Sequence, residues 1–153
     1  MVSWVRSRRL AWTAVGGLAV VIAIFSLTPQ PEDILPVALW DKLSHFLAYG
    51  TLALSLGHAL QLSGWTRGRL TVAGVVLSAT YGGLMEGLQF LAPPRSPELL
   101  DILGNLLGSC AGMASYRLLT RLRLSSAGEG QRGRIPLPDT PEPGAAGDGK
   151  PRE

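Results

Sequence analysis

The sequence predicts an all-α membrane protein: a bundle of four transmembrane helices with both ends in the cytoplasm and a disordered C-terminal tail. Three observations predict it. Charged residues make up only 16% of the 153-residue chain, against roughly 25% in soluble proteins. The apolar residues are gathered into four long runs, at 10–27, 43–62, 70–92 and 99–119, separated by short polar or proline-containing stretches. A run of about 18 or more such residues is the least that crosses a hydrocarbon core as a helix. The arginines, finally, flank these runs and do not form a stripe among aromatics, so the basic pI near 9.5 marks a membrane and not a nucleic-acid partner.

The first run has no charge between Leu10 and Leu27 and is preceded by Arg6, Arg8 and Arg9. A cleaved signal peptide begins in the same way. The run is long, however, and the chain continues Ser26-Leu27-Thr28-Pro29 with no small-x-small site, so an uncleaved helix is expected. If the chain threads back and forth four times, Arg67, Arg69, Arg117, Arg121 and Arg123 join the first three arginines on one side. The other side receives Lys42 and Arg95, together with Glu32, Asp33, Asp41 and Glu98. Positive residues collect on the cytoplasmic side of short loops, so this asymmetry sets N-in and C-in. Trp4, Trp40 and Trp65 are expected at the membrane interfaces, and so is His58. Cys110 is the single cysteine, permits no intrachain disulfide, and is expected to be a small packing residue.

From 125 to 153 the chain is rich in Gly, Pro and mixed charge. Such a segment buries too little apolar surface to offset its ordering entropy, and the tail is read as disordered. The domains are thus a four-helix unit over 1–124 and a cytoplasmic tail over 125–153.

Ionisable groups within membrane spans are costly and each needs a partner or a task. The expected topology puts several of them at one depth. Asp41, His45 and Tyr49 recur every four residues in the outer half of the second span and share a face; Lys42 lies beside them. Glu86 and Gln89 share a face at the outer end of the third span, and Asp101 and Asn105 in the first turns of the fourth. Arg95 lies in the loop at the same level. Gly104, Gly108 and Gly112, continued by Ser115, form a small-residue stripe that lets helices approach in lipid, and Gly83 and Gly87 form a similar notch in the third span. Helices two, three and four are therefore expected to pack around one polar cluster near the outer surface. The same glycine faces permit oligomerisation.

The stretches Ser26-Leu27-Thr28-Pro29, Asp41-Lys42-Leu43-Ser44-His45-Phe46-Leu47-Ala48-Tyr49, Glu86-Gly87-Leu88-Gln89 and Arg95 through Gly108 resemble the VanZ-like family. The family pattern reads D-K-x-x-H-F-x-x-Y, E-G-x-Q and R-x-x-x-x-x-D-x-x-x-N-x-x-G, and the resemblance covers roughly residues 26–116. It implies a multi-pass protein of the bacterial plasma membrane. Its founding member is associated with resistance to teicoplanin, so an effect on glycopeptide susceptibility is implied; the resemblance does not itself transfer a function.

The residues fit functions of different classes. As an enzyme acting on a lipid-linked cell-envelope molecule, the chain would use His45 and Glu86 as an acid/base pair, with Asp101 orienting His45. Lys42 and Arg95 would hold a phosphate or carboxylate headgroup. Asn105 and Gln89 would donate hydrogen bonds, and Tyr49 would line the binding site. As a non-catalytic membrane interaction protein, it would use the same cluster to recognise a phospholipid headgroup or a partner helix, or only to pack the helices. His45, Glu86 and Asp101 also supply a nitrogen and two carboxylates of the kind that hold a divalent ion. Their spacing across helices is not diagnostic, and neither a metal nor another cofactor is expected.

Overall fold

The computed structural model describes residues 2–28, 37–90 and 99–132. It contains four helices and, among the described residues, no strand: α1 Val2–Leu27, α2 Val37–Leu62, α3 Arg67–Phe90 and α4 Leu99–Arg132. The all-α class and the four helices agree with the apolar runs. Three helices start several residues before their runs, because Arg and Lys are good helix formers even where they end an apolar stretch.

Among the described residues one helix, over Ser3–Leu27, is long and apolar enough by itself to cross a membrane, and most of it is exposed. The other three do not reach that level on composition alone, in contrast to the four spans expected. The reason is visible in their residues: Lys42, His45 and His58 interrupt α2, Arg67, Arg69 and Glu86 interrupt α3, and Asp101 and Asn105 interrupt α4.

Residues Met1–Thr120 form one compact unit and Arg121–Glu153 a second. α4 is helical to Arg132, beyond the expected start of the tail at 125, since no proline interrupts the chain before Pro136. Residues 133–153, most of the expected tail, lie outside the described residues, as do Glu32, Asp33 and the loop with Arg95 and Glu98. The side chains of Trp40 and Asp41 lie outside them too.

α2 is the central element of the first unit. One of its faces packs Tyr49, Leu52, Leu56 and Ala59 with Val15 and Ile22 of α1. Another packs Ala53 and Leu60 with Leu70 of α3 and with Met113 and Tyr116 of α4. α2 ends in a Schellman cap: the Trp65 N–H donates to the Leu60 carbonyl and the Gly64 N–H to that of Gln61. Gly64 supplies the left-handed conformation this cap requires, at φ 83°. Thr66 follows as the N-cap of α3, its carbonyl accepting from the Leu70 N–H. A four-residue turn thus sets α2 and α3 antiparallel. α1 is tied to the same turn by Trp12 Nε1, which donates to Ser63 Oγ at 3.1 Å.

α4 meets α2 through glycine. A Cβ on Gly108 or Gly112 would run into the backbone of Phe46 or Gly50, each with a Cα only 2.9 Å away. The stripe stops there: Ser115 is exposed and Tyr116 is buried in its place. In α3 the close approaches are made by different glycines from those expected. Gly83 and Gly87 have nothing within 4 Å. Gly74 faces Met113, Gly82 faces Asn105, and Ser78 between them is fully buried. Successive helical residues are about 100° apart, so the outward row 83/87 lies one step from the inward row 74/78/82/86. Cys110 is exposed and not a packing residue. It lies two positions from each of the inward glycines, on the outer side of α4.

Candidate functional site

A polar cluster occupies one end of the bundle, where α1 and α3 finish and α2 and α4 begin. Six polar side chains are buried in the described residues. Glu86, Gln89, Asp101 and Asn105 are four of them, and His45, 11% exposed, joins them. Antiparallel connection is the cause: a residue late in α3 and one early in α2 or α4 share a level. Periodicity then turns His45, Glu86 and Asn105 to the inside.

His45 is the centre. Its Nδ1 lies 3.0 Å from Asn105 Oδ1 and 3.3 Å from Glu86 Oε1. With the ring N–H on Nδ1, the imidazole donates to the Asn105 amide oxygen. Asn105, expected as a donor, is thereby the acceptor that fixes the ring. Lys42 Nζ lies 3.8 Å from Asp101 Oδ1 and is 29% exposed, so this expected headgroup anchor already offsets the charge of a buried carboxylate. Tyr49 is 1% exposed and stacks obliquely between the His45 ring, at 6.1 Å, and the Tyr81 ring, at 6.4 Å. Gln89 donates from Nε2 to the Ser26 carbonyl at 2.7 Å, which ties α3 to the end of α1. Of the expected site residues, Lys42, His45, Tyr49, Glu86, Gln89, Asp101 and Asn105 are all at this end of the bundle. Arg95 lies outside the described residues.

The apolar sequence runs gave no hint that α1 takes part. A cavity of about 360 Å³ lies between α1 and α2. Its walls are apolar, with Leu18, Val21, Ile22 and Phe25 from α1 and Leu47 and Ala48 from α2. Polar groups line the end near the cluster: Ser26, Ser44, His45, Tyr49 and Gln89. Phe25 is 67% exposed and Leu47 55%, so the cavity opens sideways onto the surface of the bundle. Ser26 belongs to the first stretch of the family resemblance, but no spacing rule links a residue of α1 to residues in α2 and α3. Ser78, by contrast, was legible. It sits eight residues before Glu86 on the same face, and its Oγ donates to the Tyr49 carbonyl at 2.9 Å. Tyr81 Oη donates to the Ala19 carbonyl at 2.7 Å and closes the α1–α3 contact.

The arrangement defines a helical protein with an interior polar site reached from the side by an apolar cavity. Over 118 residues the chain is 30% identical to a protein of the fission yeast Schizosaccharomyces pombe, Uncharacterized protein C11E3.10, the match covering 76% of this chain and 71% of that one. The chain belongs to the same family as this yeast protein. No protein-family model matches the chain, and no solved structure matches it.

Proposed function

We propose that the chain is a multi-pass membrane protein that binds a membrane lipid, its polar head at the buried cluster and its acyl chain in the cavity between α1 and α2. The observation that carries this is an inversion of polarity. Glu86, Gln89, Asp101 and Asn105 are inside, while large apolar residues of every helix are outside. Val72, Val76 and Leu84 of α3 and Leu99, Leu103 and Leu107 of α4 are all about half exposed or more. Soluble monomers rarely leave apolar patches beyond a few hundred Å² in water, whereas ionisable groups in membrane helices turn to the bundle interior. On this reading α2, α3 and α4 span although their mean hydropathy falls short: Glu86, Asp101 and Asn105, which lower it, are hidden from lipid, and Arg67 and Arg69 lie at the end of α3.

With the positive residues inside, the cluster lies at the outer leaflet. A cavity with apolar walls, a lateral opening and one polar end matches the shape and polarity of an amphiphile. The resemblance to the VanZ-like family rests on these same residues and supports a lipid-linked envelope molecule as one source of the headgroup. A family with a member in yeast also favours an ordinary phospholipid. Both present a phosphate, and Lys42 is the described cation at the mouth of the site. Gln89 belongs to helix packing on this reading, since its amide is committed to Ser26.

Photolabelling tests the binding. A phospholipid carrying a diazirine on its acyl chain is added to the full chain in nanodiscs, and a diazirine-bearing polyprenyl phosphate in a second arm. Labels are expected at Val21, Phe25 and Leu47, and Leu47→Trp, which fills the opening, is expected to lower labelling by about tenfold. Equal labelling around all four helices, unchanged by Leu47→Trp, overturns the proposal. The arm that labels identifies the source of the phosphate.

The orientation has its own check. A reporter fused after Arg123 is expected to be active only in the cytoplasm. Activity on the outside would reverse the topology and put the cluster at the inner leaflet.

A further inference from the structure

We propose that His45, Glu86 and Asp101 form a binding site for a divalent first-row metal ion of the zinc or manganese class, next to the polar end of the cavity. This goes beyond lipid binding and reverses the sequence expectation that no metal is held. The three residues come from three different helices, α2, α3 and α4. One ligand atom from each lies within 4.8 Å of the other two. Convergence of this kind is a tertiary property, not a by-product of one helix's composition.

The distances suit an ion. With metal–ligand bonds of about 2.0–2.2 Å, neighbouring ligand atoms of a tetrahedral site are about 3.3–3.6 Å apart. His45 Nδ1 and Glu86 Oε1 already stand at 3.3 Å. The Asp101 carboxylate has its remaining distance to close within the 4.8 Å limit, which a side-chain rotation can supply.

Electrostatics favours the same conclusion. Glu86 is 3% and Asp101 6% exposed. Two carboxylates repel at this range in a low-dielectric interior, and a dication between them converts the repulsion into attraction. Lys42 lies against Asp101, on the more exposed side.

The surroundings add an independent observation. Asn105 is 1% exposed and its Oδ1 lies 3.0 Å from the same His45 Nδ1; an ion held by that nitrogen takes the place of its proton, and the Asn105 amide oxygen then stands beside it as a further neutral oxygen. Its Nδ2 is buried and has no hydrogen-bond partner among the described residues. An oxygen carried by the bound ion, from water or from a phosphate, supplies the acceptor that this amide lacks. One nitrogen and two carboxylate oxygens suit zinc or manganese better than the thiolate-preferring ions. Three protein ligands leave a position open toward the cavity, where the phosphate of a bound lipid could take its place.

The test is metal content. The full chain, purified in detergent and stripped with EDTA, is reloaded with zinc or with manganese, passed over a sizing column and analysed by mass spectrometry. About one equivalent of one of the two ions per chain is expected. Glu86→Gln and Asp101→Asn are each expected to weaken binding by about 100-fold or more, while His58→Ala, which alters an exposed histidine outside the cluster, binds as the wild type does. Circular dichroism confirms that each variant is folded, and the wild-type result stands whether or not the variants fold. Failure of the wild-type chain to hold either ion overturns the inference, as does wild-type affinity in both folded carboxylate variants. The lipid reading fails separately: photolabelling that persists in EDTA without any metal binding sinks the metal site alone. Metal binding with labelling that Leu47→Trp does not change sinks the lipid site alone.

Discussion

Gly112→Val is expected to destabilise the bundle by about 3 kcal/mol or more, at or above the upper end of what overpacking a core costs. The Cβ position at Gly112 falls against the Gly50 carbonyl carbon at 2.8 Å and its Cα at 2.9 Å. Both are backbone atoms of a regular helix, so no side chain can rotate away. α2 and α4 would have to separate, and with them His45 and Asn105, which meet at 3.0 Å across this contact. Gly83→Ala is the control. Nothing lies within 4 Å of that position, and alanine in a helix is favoured over glycine by about 0.5–1 kcal/mol. Unfolding in mixed micelles, followed by circular dichroism, measures both. A Gly112→Val protein within about 0.5 kcal/mol of wild type would show that α2 and α4 do not make this backbone contact.

Tyr49→Ala is expected to cost about 3–5 kcal/mol, the range found for deleting a large aromatic side chain from a core. Tyr49 is among the largest fully buried side chains. It supports the His45 ring on one side and the Tyr81 ring on the other, so its loss opens a void directly beneath the cluster. The hydrogen bond from Ser78 Oγ goes to the Tyr49 carbonyl and survives the substitution, so the effect isolates the ring. Tyr49→Phe keeps the ring and is expected to stay within about 1.5 kcal/mol of wild type, the net worth of one hydroxyl hydrogen bond. The same unfolding assay reads both variants. Equal losses for the two would mean that the hydroxyl, and not the packing of the ring, holds this region.

The legible part of the site is the part that periodicity controls. His45 and Tyr49 at an interval of four, Glu86 and Gln89 at three, and Asp101 and Asn105 at four each specify one helix face. The short link between α2 and α3 makes those faces antiparallel neighbours. What periodicity does not control was missed. Gly83 and Gly87 have the spacing of a packing notch, yet they face outward, because the rotation of α3 is set by Gly74, Ser78 and Gly82 against α2 and α4. A four-residue interval occurs on every face of a helix, and only the neighbours select one. The glycine face of α4 is likewise taken up by α2 within the chain, which removes it from the surfaces expected to permit oligomerisation.

The sequence by itself determined that the chain is helical, the middle of each of its four helices though not all their ends, and which of the described polar residues reach one end of the bundle. Those properties follow from apolar run lengths and from the 3.6-residue turn, both local. Tertiary structure alone decided that Asn105 is the group bonded to His45 Nδ1, that Lys42 lies against Asp101, and that α1 closes one side of a cavity opening beside them. Side-chain partners across helices depend on helix rotation and separation, and these are fixed by where glycines let one backbone touch another. No spacing within a single helix encodes them.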